Sequence, residues 1–404
     1  VNNSNRLLVI ILVLLLPFFW WQFVPIAFKT ISLLALIGYL FLIYFNRFPF
    51  LRLFLLIILF FFLSWGILFS LALANSPASD VVVSMEVATR ALLSGQNPYA
   101  MDFHSSPLLN ATASINEPGW IAKGQDSYLL YTHFPYTPAI FLVTIPFSLA
   151  FPTLSFYWIC FLLLWILFFF ILLMIKDPFL REGMLLFIFL NPFILFSVLL
   201  GHVADFLGLV LLLHFVFFVF RHRFFLAGLT LGLLVLTKLY FLLLVPFLLV
   251  YFFEARQKGL FRGLLVSMFM MSLPFLVWDP LPFLDDTILI YLRSGPGNLV
   301  IWKDTVGIFP LLASIGIISP QLEWVPTLTM LTVFILIFVF FLRQKNHSFS
   351  HALAYSTLAS TAVLFFSKFF SFNYLSLPFT LLAGLLLWKI LHAQPSQSLF
   401  SIPN

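Results

Sequence analysis

An all-α, polytopic membrane protein is the fold class this sequence predicts, and three observations predict it. Apolar residues make up 63% of the 404 and charged residues only 8%, at a mean hydropathy of +1.12; a soluble domain carries about 25% charged residues. The apolar residues fall in runs close to the ~20 residues that a helix needs to cross a hydrocarbon core. The basic residues gather beside alternate ends of those runs, which is an orientation signal. The formal charge of +6 is spread too thinly to suggest nucleic acid as a partner. A single cysteine, Cys160, excludes a disulfide framework and a Cys-rich metal site.

The runs place twelve crossings at about 7–24, 27–45, 53–73, 154–175, 183–200, 204–220, 224–237, 239–253, 262–278, 323–342, 350–367 and 374–392. A second run follows the first at once, with no small-residue cleavage site between them, so residues 7–24 read as a membrane helix and not as a signal peptide. Two further apolar stretches, 139–151 and 307–319, are short and flanked by proline, and read as half-helices dipping in from one face. With both termini cytoplasmic, Arg6, Arg47, Arg52, Lys176, Arg181, Arg221, Arg223, Arg256, Lys258, Arg262, Arg343, Lys345 and Lys389 lie inside. Of the acids, Asp177, Glu182 and Glu254 join them. Counting either half-helix as a full crossing moves several of these bases outside, against the positive-inside rule. The domain reading is an N-terminal hairpin over 1–52, a central module over 53–278 with a first outer loop at 74–138, and a second outer loop with the last crossings over 279–404.

The first outer loop carries charge where the rest of the chain is apolar. In "SDVVVSMEVATRALLSG", residues 79–95, Ser79 is the expected N-cap and Gly95 the expected residue just past the helix end. At 100° per residue Val81, Val82, Met85, Ala88 and Leu92 share one side; Asp80, Ser84, Glu86, Arg90 and Ser94 share the other. Glu86 and Arg90 are spaced as an i,i+4 ion pair. The segment is therefore expected to be an amphipathic helix lying along the membrane surface. Asp80 at its start is also what a helix dipole alone favours.

Other polar points are sparse. "YTHFPYTPAI", 131–140, combines His133 and Tyr136 with two prolines where the chain re-enters the membrane. "GHVAD", 201–205, places His202 and Asp205 in a tight turn, where Asp205 could serve simply as a cap. Lys238 sits between two short apolar runs, and an ionisable residue at that depth is costly enough to point to function. Lys368, Asn373 and Tyr374 occupy the last outer loop. The topology brings Asp80, His202, Lys238 and Lys368 to the outer boundary. An acid with several cations there fits a site for a polar acceptor and an anionic lipid headgroup.

The ordered series "LLSGQNPY" (92–99), "FPYTP" (134–138), "NP" (191–192), "GHVAD" (201–205), "TKLY" (237–240) and "SKFFSFNY" (367–374) resembles the GT-C membrane glycosyltransferases that use polyprenyl-phosphate sugars. It is most similar to glycosyltransferase family 87 and to the GPI-type mannosyltransferase I, over roughly residues 53 to 390. The resemblance implies a GT-C fold, and an outer-face site in a protein with one cysteine fits a plasma membrane. It implies transfer of a hexose, mannose being the commonest, with inversion, from a polyprenyl-phosphate sugar to a lipid-linked or small glycan acceptor at the outer face. Asp80 matches the position of the general base, and Lys238 and Lys368 match motif positions expected to hold the donor phosphate, with His202 as a further donor. Glu86, Arg90, Tyr99, His133, Tyr136, Asp205, Tyr240, Asn373 and Tyr374 are expected to shape the pockets for lipid and sugar. The GPI-type enzymes carry an Asp-x-Asp pair in this loop, whereas here Asp80 is followed by Val81 and Val82, so no metal and no other cofactor is expected. A multi-span transporter or flippase, and a glycan polymerase or ligase, are the alternative readings.

Overall fold

The structure, a computed structural model, describes residues 26–45, 48–73, 80–101, 136–150, 155–189, 191, 203–289, 307–319, 322, 324–367 and 372–393. These residues are helical, joined by turns. In chain order the α-helices are α1 Ile26–Phe45, α2 Pro49–Leu73, α3 Asp80–Leu93, α4 Pro138–Leu142, α5 Ile145–Ala150, α6 Ser155–Met174, α7 Pro178–Phe189 and α8 Val203–Phe220. They continue as α9 Phe224–Val235, α10 Val245–Glu254, α11 Lys258–Trp278, α12 Pro280–Leu284, α13 Ile308–Ser314, α14 Trp324–Leu342, α15 Phe349–Phe365 and α16 Ser376–Ala393. Among the described residues, α8, α11, α14 and α16 are long and apolar enough to cross a bilayer, and several shorter apolar helices accompany them. The molecule is a multi-pass membrane protein.

Most of the expected crossings coincide with helices whose ends lie within a few residues of the expected ones, four of them, among the described residues, long and apolar enough to span, and the differences have local causes. The stretch 7–24 lies outside the described residues, as does most of 190–200. The expected half-helix at 139–151 is two helices, α4 and α5. Pro146 has no N–H to give to the Leu142 carbonyl, so the helix stops and restarts. The expected half-helix at 307–319 ends early, at Ser314, where Gly316 takes φ +77° and closes the turn. Helices of five to seven residues rise only about 8–11 Å, far short of the ~30 Å core. The crossing expected at 239–253 is interrupted: a 3₁₀ turn over Leu239–Leu243 precedes α10. The loop expected at 279–306 begins instead with α12, which Pro280 starts, and a π turn over Asp285–Leu289.

Helix α8 is the centre of the bundle. It packs against α6, α9 and α16, and most of its side chains are buried. The tightest contact is between α9 and α11. Gly228 and Gly232 on α9 face Gly263 and Ser267 on α11, so that a Cβ at Gly228 would strike the Leu260 carbonyl and one at Gly263 the Phe225 carbonyl. Small residues four apart let two membrane helices approach backbone to backbone, where van der Waals contact drives association in lipid.

Two ends of the bundle differ chemically. At one end Phe170 of α6 meets Phe217 of α8, and Phe220 of α8 meets His392 of α16. Phe349 at the start of α15 meets Trp388 of α16 and Tyr251 of α10, while the Glu254 carboxylate lies 2.7 Å from Nδ1 of His347. The same end holds a buried network in which Arg52 of α2 pairs with Glu182 of α7 at 3.3 Å and the Tyr39 hydroxyl of α1 donates to that carboxylate at 3.1 Å. The hairpin α1–α2 is thereby fastened to the rest of the protein. The basic residues at 52, 181, 221, 223, 256, 258, 262, 343, 345 and 389 belong to this end. The opposite end gathers the starts of α4, α8 and α16 with the break between α9 and α10.

Gly263→Ala should push α9 and α11 apart and lower stability by about 1–3 kcal/mol, the usual cost of overpacking. Gly183→Ala, whose added methyl meets nothing within 4 Å, should leave stability unchanged or raised. Thermal unfolding in detergent compares the two; an equal effect of both would contradict the close crossing.

Candidate functional site

The site is built where four elements converge at the end opposite the basic residues. Asp205 lies in the first turn of α8 and is buried, 2% exposed. Lys238 follows α9 in extended backbone (φ −158°, ψ 126°), which turns its side chain off the helix line before the 3₁₀ turn begins. Its Nζ lies 2.7 Å from Oδ1 of Asp205, and the Tyr240 hydroxyl donates to the same oxygen. The ring of Tyr240 lies 4.9 Å from the ammonium, and the ring of Tyr374, from the turn Phe372–Leu375 that leads into α16, lies 5.1 Å from it. The two rings are 6.1 Å apart. The ammonium is thus held by one carboxylate and two ring faces, each ring worth about 0.5–2 kcal/mol by cation–π attraction.

Taking both charges out of water costs several kcal/mol per ion. Direct contact and a second hydrogen bond offset that cost, and a cation in this setting is a ready receptor for an anion.

The break that carries Lys238 is itself tied to α4. The Thr137 hydroxyl, at the start of α4, donates to the Leu236 carbonyl, and Thr237 donates to Leu234 at 2.7 Å. Further along, α3 seats on α4 and α5. Thr89 of α3 and Thr144 lie 2.6 Å apart, oxygen to oxygen, and Met85, Val87, Ala88 and Ala91 are buried as well, so that roughly half of the helix's circumference is covered, including part of the side expected to be polar. On the other side Arg90 is exposed and pairs with Glu86. The helix closes as expected: Gly95 takes φ +79°, Gly95 N–H bonds Leu92, and Gln96 N–H bonds Ala91. Asp80 is its first residue.

The candidate residues therefore separate into groups. Asp205, Lys238, Tyr240 and Tyr374 form one cluster. Glu86 and Arg90 pair with each other on the open side of α3. Tyr99 is a buried wedge: its hydroxyl donates to the Tyr136 carbonyl at 2.8 Å and its ring packs edge-on against Phe283 (4.9 Å) and Phe275 (5.2 Å). Burial, and then the charge of Asp286, push the Tyr99 hydroxyl well above its ordinary pKa. His133, His202 and Lys368 lie outside the described residues, as do the side chains of Asp80 and Asn373.

Sequence reasoning did not find Thr137, Thr89 and Thr144, which link α3 and α4 to the Lys238 break. Threonine is common in apolar helices and carries no signal of its partner. Nor did it single out Asp286, 2% exposed in the turn Asp285–Leu289, although the pair Asp285–Asp286 stands out in the sequence. Among the described residues no three His, Cys, Asp or Glu side chains gather as metal ligands.

A family model described as "Glycosyltransferase family 87" matches residues 134–367, more than half of the chain. The matched stretch contains Asp205, Lys238 and Tyr240, while Asp80, Lys368 and Tyr374 fall outside it. No curated protein and no solved structure matches the chain.

Lys238→Met removes the ammonium that compensates a buried carboxylate and should cost about 3–5 kcal/mol. Adding Asp205→Leu should return most of that loss. Unfolding midpoints of the three chains decide it; a Lys238→Met chain as stable as the parent would mean that the pair is solvated.

Proposed function

The chain belongs to glycosyltransferase family 87, and on that premise we propose that it transfers a hexose, of the mannose class, from a polyprenyl-phosphate sugar to a lipid-linked or small glycan acceptor, at the outer face and with inversion. The observation that carries this reading is the Lys238 ammonium, held at the bundle end away from the basic residues and within the family segment. A leaving phosphate gains negative charge as its bond to the anomeric carbon breaks, and a cation already in place stabilises that charge without reorganisation.

Asp80 is the proposed base. An acceptor hydroxyl attacks the anomeric carbon from the face opposite the phosphate; the carbon–oxygen bond to the phosphate breaks; the hydroxyl proton passes to the Asp80 carboxylate. The phosphate departs toward Lys238, with Lys368 and His202 as further proposed donors. Support for this pairing of base and cation comes from the chain of contacts between them. Helix α3, which Asp80 begins, rests on α4 and α5 through Thr89 and Thr144, and α4 is hooked through Thr137 to Leu236, two residues before Lys238. The Glu86–Arg90 pair on the open side of α3 is proposed to meet the acceptor. No divalent metal is proposed, because valines follow Asp80 where the GPI-type enzymes carry a second aspartate.

The orientation is proposed with the basic end in the cytoplasm, by the positive-inside rule. In a Cys160→Ser chain, a cysteine at Asn346 should react with a membrane-impermeant maleimide only from the cytoplasmic side, and one at Ser94 only from the outside. Both positions are exposed. The reverse pattern would invert the orientation.

In proteoliposomes supplied with polyprenyl-phosphate mannose and acceptor lipid, Asp80→Asn should lower transfer by at least about 10²-fold, the usual weight of a general base. The variant should unfold at the parent's temperature. Full transfer by the variant would move the base to Glu86 or Asp205, and movement of lipid without any transfer by the parent would favour a flippase.

A further inference from the structure

The Lys238 ammonium is already engaged before any donor arrives. Its partner comes from a different helix, and the pair is lopsided: the Asp205 side chain has no solvent exposure, while Lys238 keeps 16% of its own. The carboxylate lies 2.7 Å from Nζ and also receives the Tyr240 hydroxyl. Without the lysine, Asp205 would still have that hydroxyl to accept from; the ammonium, with three N–H donors, still has donors for a second anion. The accessible member of the pair is the cation, and the fixed member is the acid.

A carboxylate at this distance repels any phosphate that approaches the same ammonium, and it repels a doubly charged one more than a singly charged one. A sugar phosphodiester carries one negative charge. The polyprenyl phosphate left after transfer is a monoester, whose second ionisation has a pKa near 6, so it carries close to two at neutral pH. A lone lysine would hold the product more tightly than the donor. A lysine shared with a buried acid would not.

We propose that Asp205 is the resting counter-ion of Lys238, displaced by the donor phosphate and restored when the product leaves, so that its charge limits product retention. This rests on the reading of Lys238 as the donor-phosphate cation. In one cycle the donor phosphate takes a Lys238 N–H, and Asp205 keeps the Tyr240 hydroxyl. After the anomeric carbon–oxygen bond breaks, the more highly charged phosphate is expelled as the ammonium returns to Asp205. Asp205 acts through Lys238 and is a positioning residue.

The test measures the inhibition constant of polyprenyl phosphate and the donor KM on Asp205→Asn, Asp205→Glu and Lys238→Met, with the full chain in liposomes. Asn keeps the shape and removes the charge. It should tighten polyprenyl phosphate roughly 10-fold and lower donor KM by less, roughly 3-fold, since the repulsion scales with the charge of the bound phosphate. Turnover should fall in parallel as release slows. Asp205→Glu keeps the charge and should leave the inhibition constant within about twofold of the parent, even if fewer molecules fold. Lys238→Met should weaken both ligands. A merely structural Asp205 would change the active fraction and leave the inhibition constant where it was, which overturns the proposal. If Lys238→Met alone leaves both constants unmoved, the reading of Lys238 as the phosphate cation fails, and this inference with it.

Discussion

The contact on which the site depends is the ion pair between Lys238 and Asp205. It joins the start of α8, the central helix, to the break between α9 and α10, and Tyr374 adds the start of α16. Three segments far apart in sequence are thereby fixed around one ammonium. In water such a pair would contribute little. At the end of an apolar bundle, separating the two charges would leave at least one in a poor solvent. The same low dielectric that makes the pair costly to form makes the cation effective toward an anion.

Placement of that pair follows from where helices stop. Helix α9 has twelve residues and α10 ten, rises of about 18 and 15 Å, so neither spans the ~30 Å core alone and the break between them falls at membrane depth, on the side away from the basic residues. The close crossing of α9 on α11, made possible by Gly228, Gly232 and Gly263, fixes the tilt of the helix that delivers Lys238. Non-helical backbone at such a depth needs partners within the protein. The Leu236 carbonyl finds the Thr137 hydroxyl and the Lys238 carbonyl finds the Phe241 N–H at 3.1 Å.

Those hydrogen bonds also tell how α3 is held against the bundle near Lys238. Helix α3 touches the bundle through a buried threonine pair and small apolar residues, while its Glu86–Arg90 face stays open. Tyr99 wedges the segment after it against α11 and α12. The proposed base and the proposed phosphate cation are thus connected by short, mostly polar contacts, an arrangement suited to keeping a fixed geometry during transfer.

The sequence by itself determined the membrane class, most helix positions, the charged helix α3 with its Gly95 end, and the family, because each depends on local hydropathy, local turn chemistry or ordered motifs. It also pointed to Lys238, because a lone ionisable residue between apolar runs is conspicuous. It did not determine that Asp205, Tyr240 and Tyr374 surround that lysine, that Thr137 and Thr144 tie α4 to the Lys238 break and to α3, or that Arg52, Glu182 and Tyr39 lock the α1–α2 hairpin. Each of those contacts joins residues far apart along the chain, and a threonine or an aspartate looks the same in sequence whether it caps its own helix or reaches another. Which of the two it does depends on how the helices pack, and only the tertiary structure decides that.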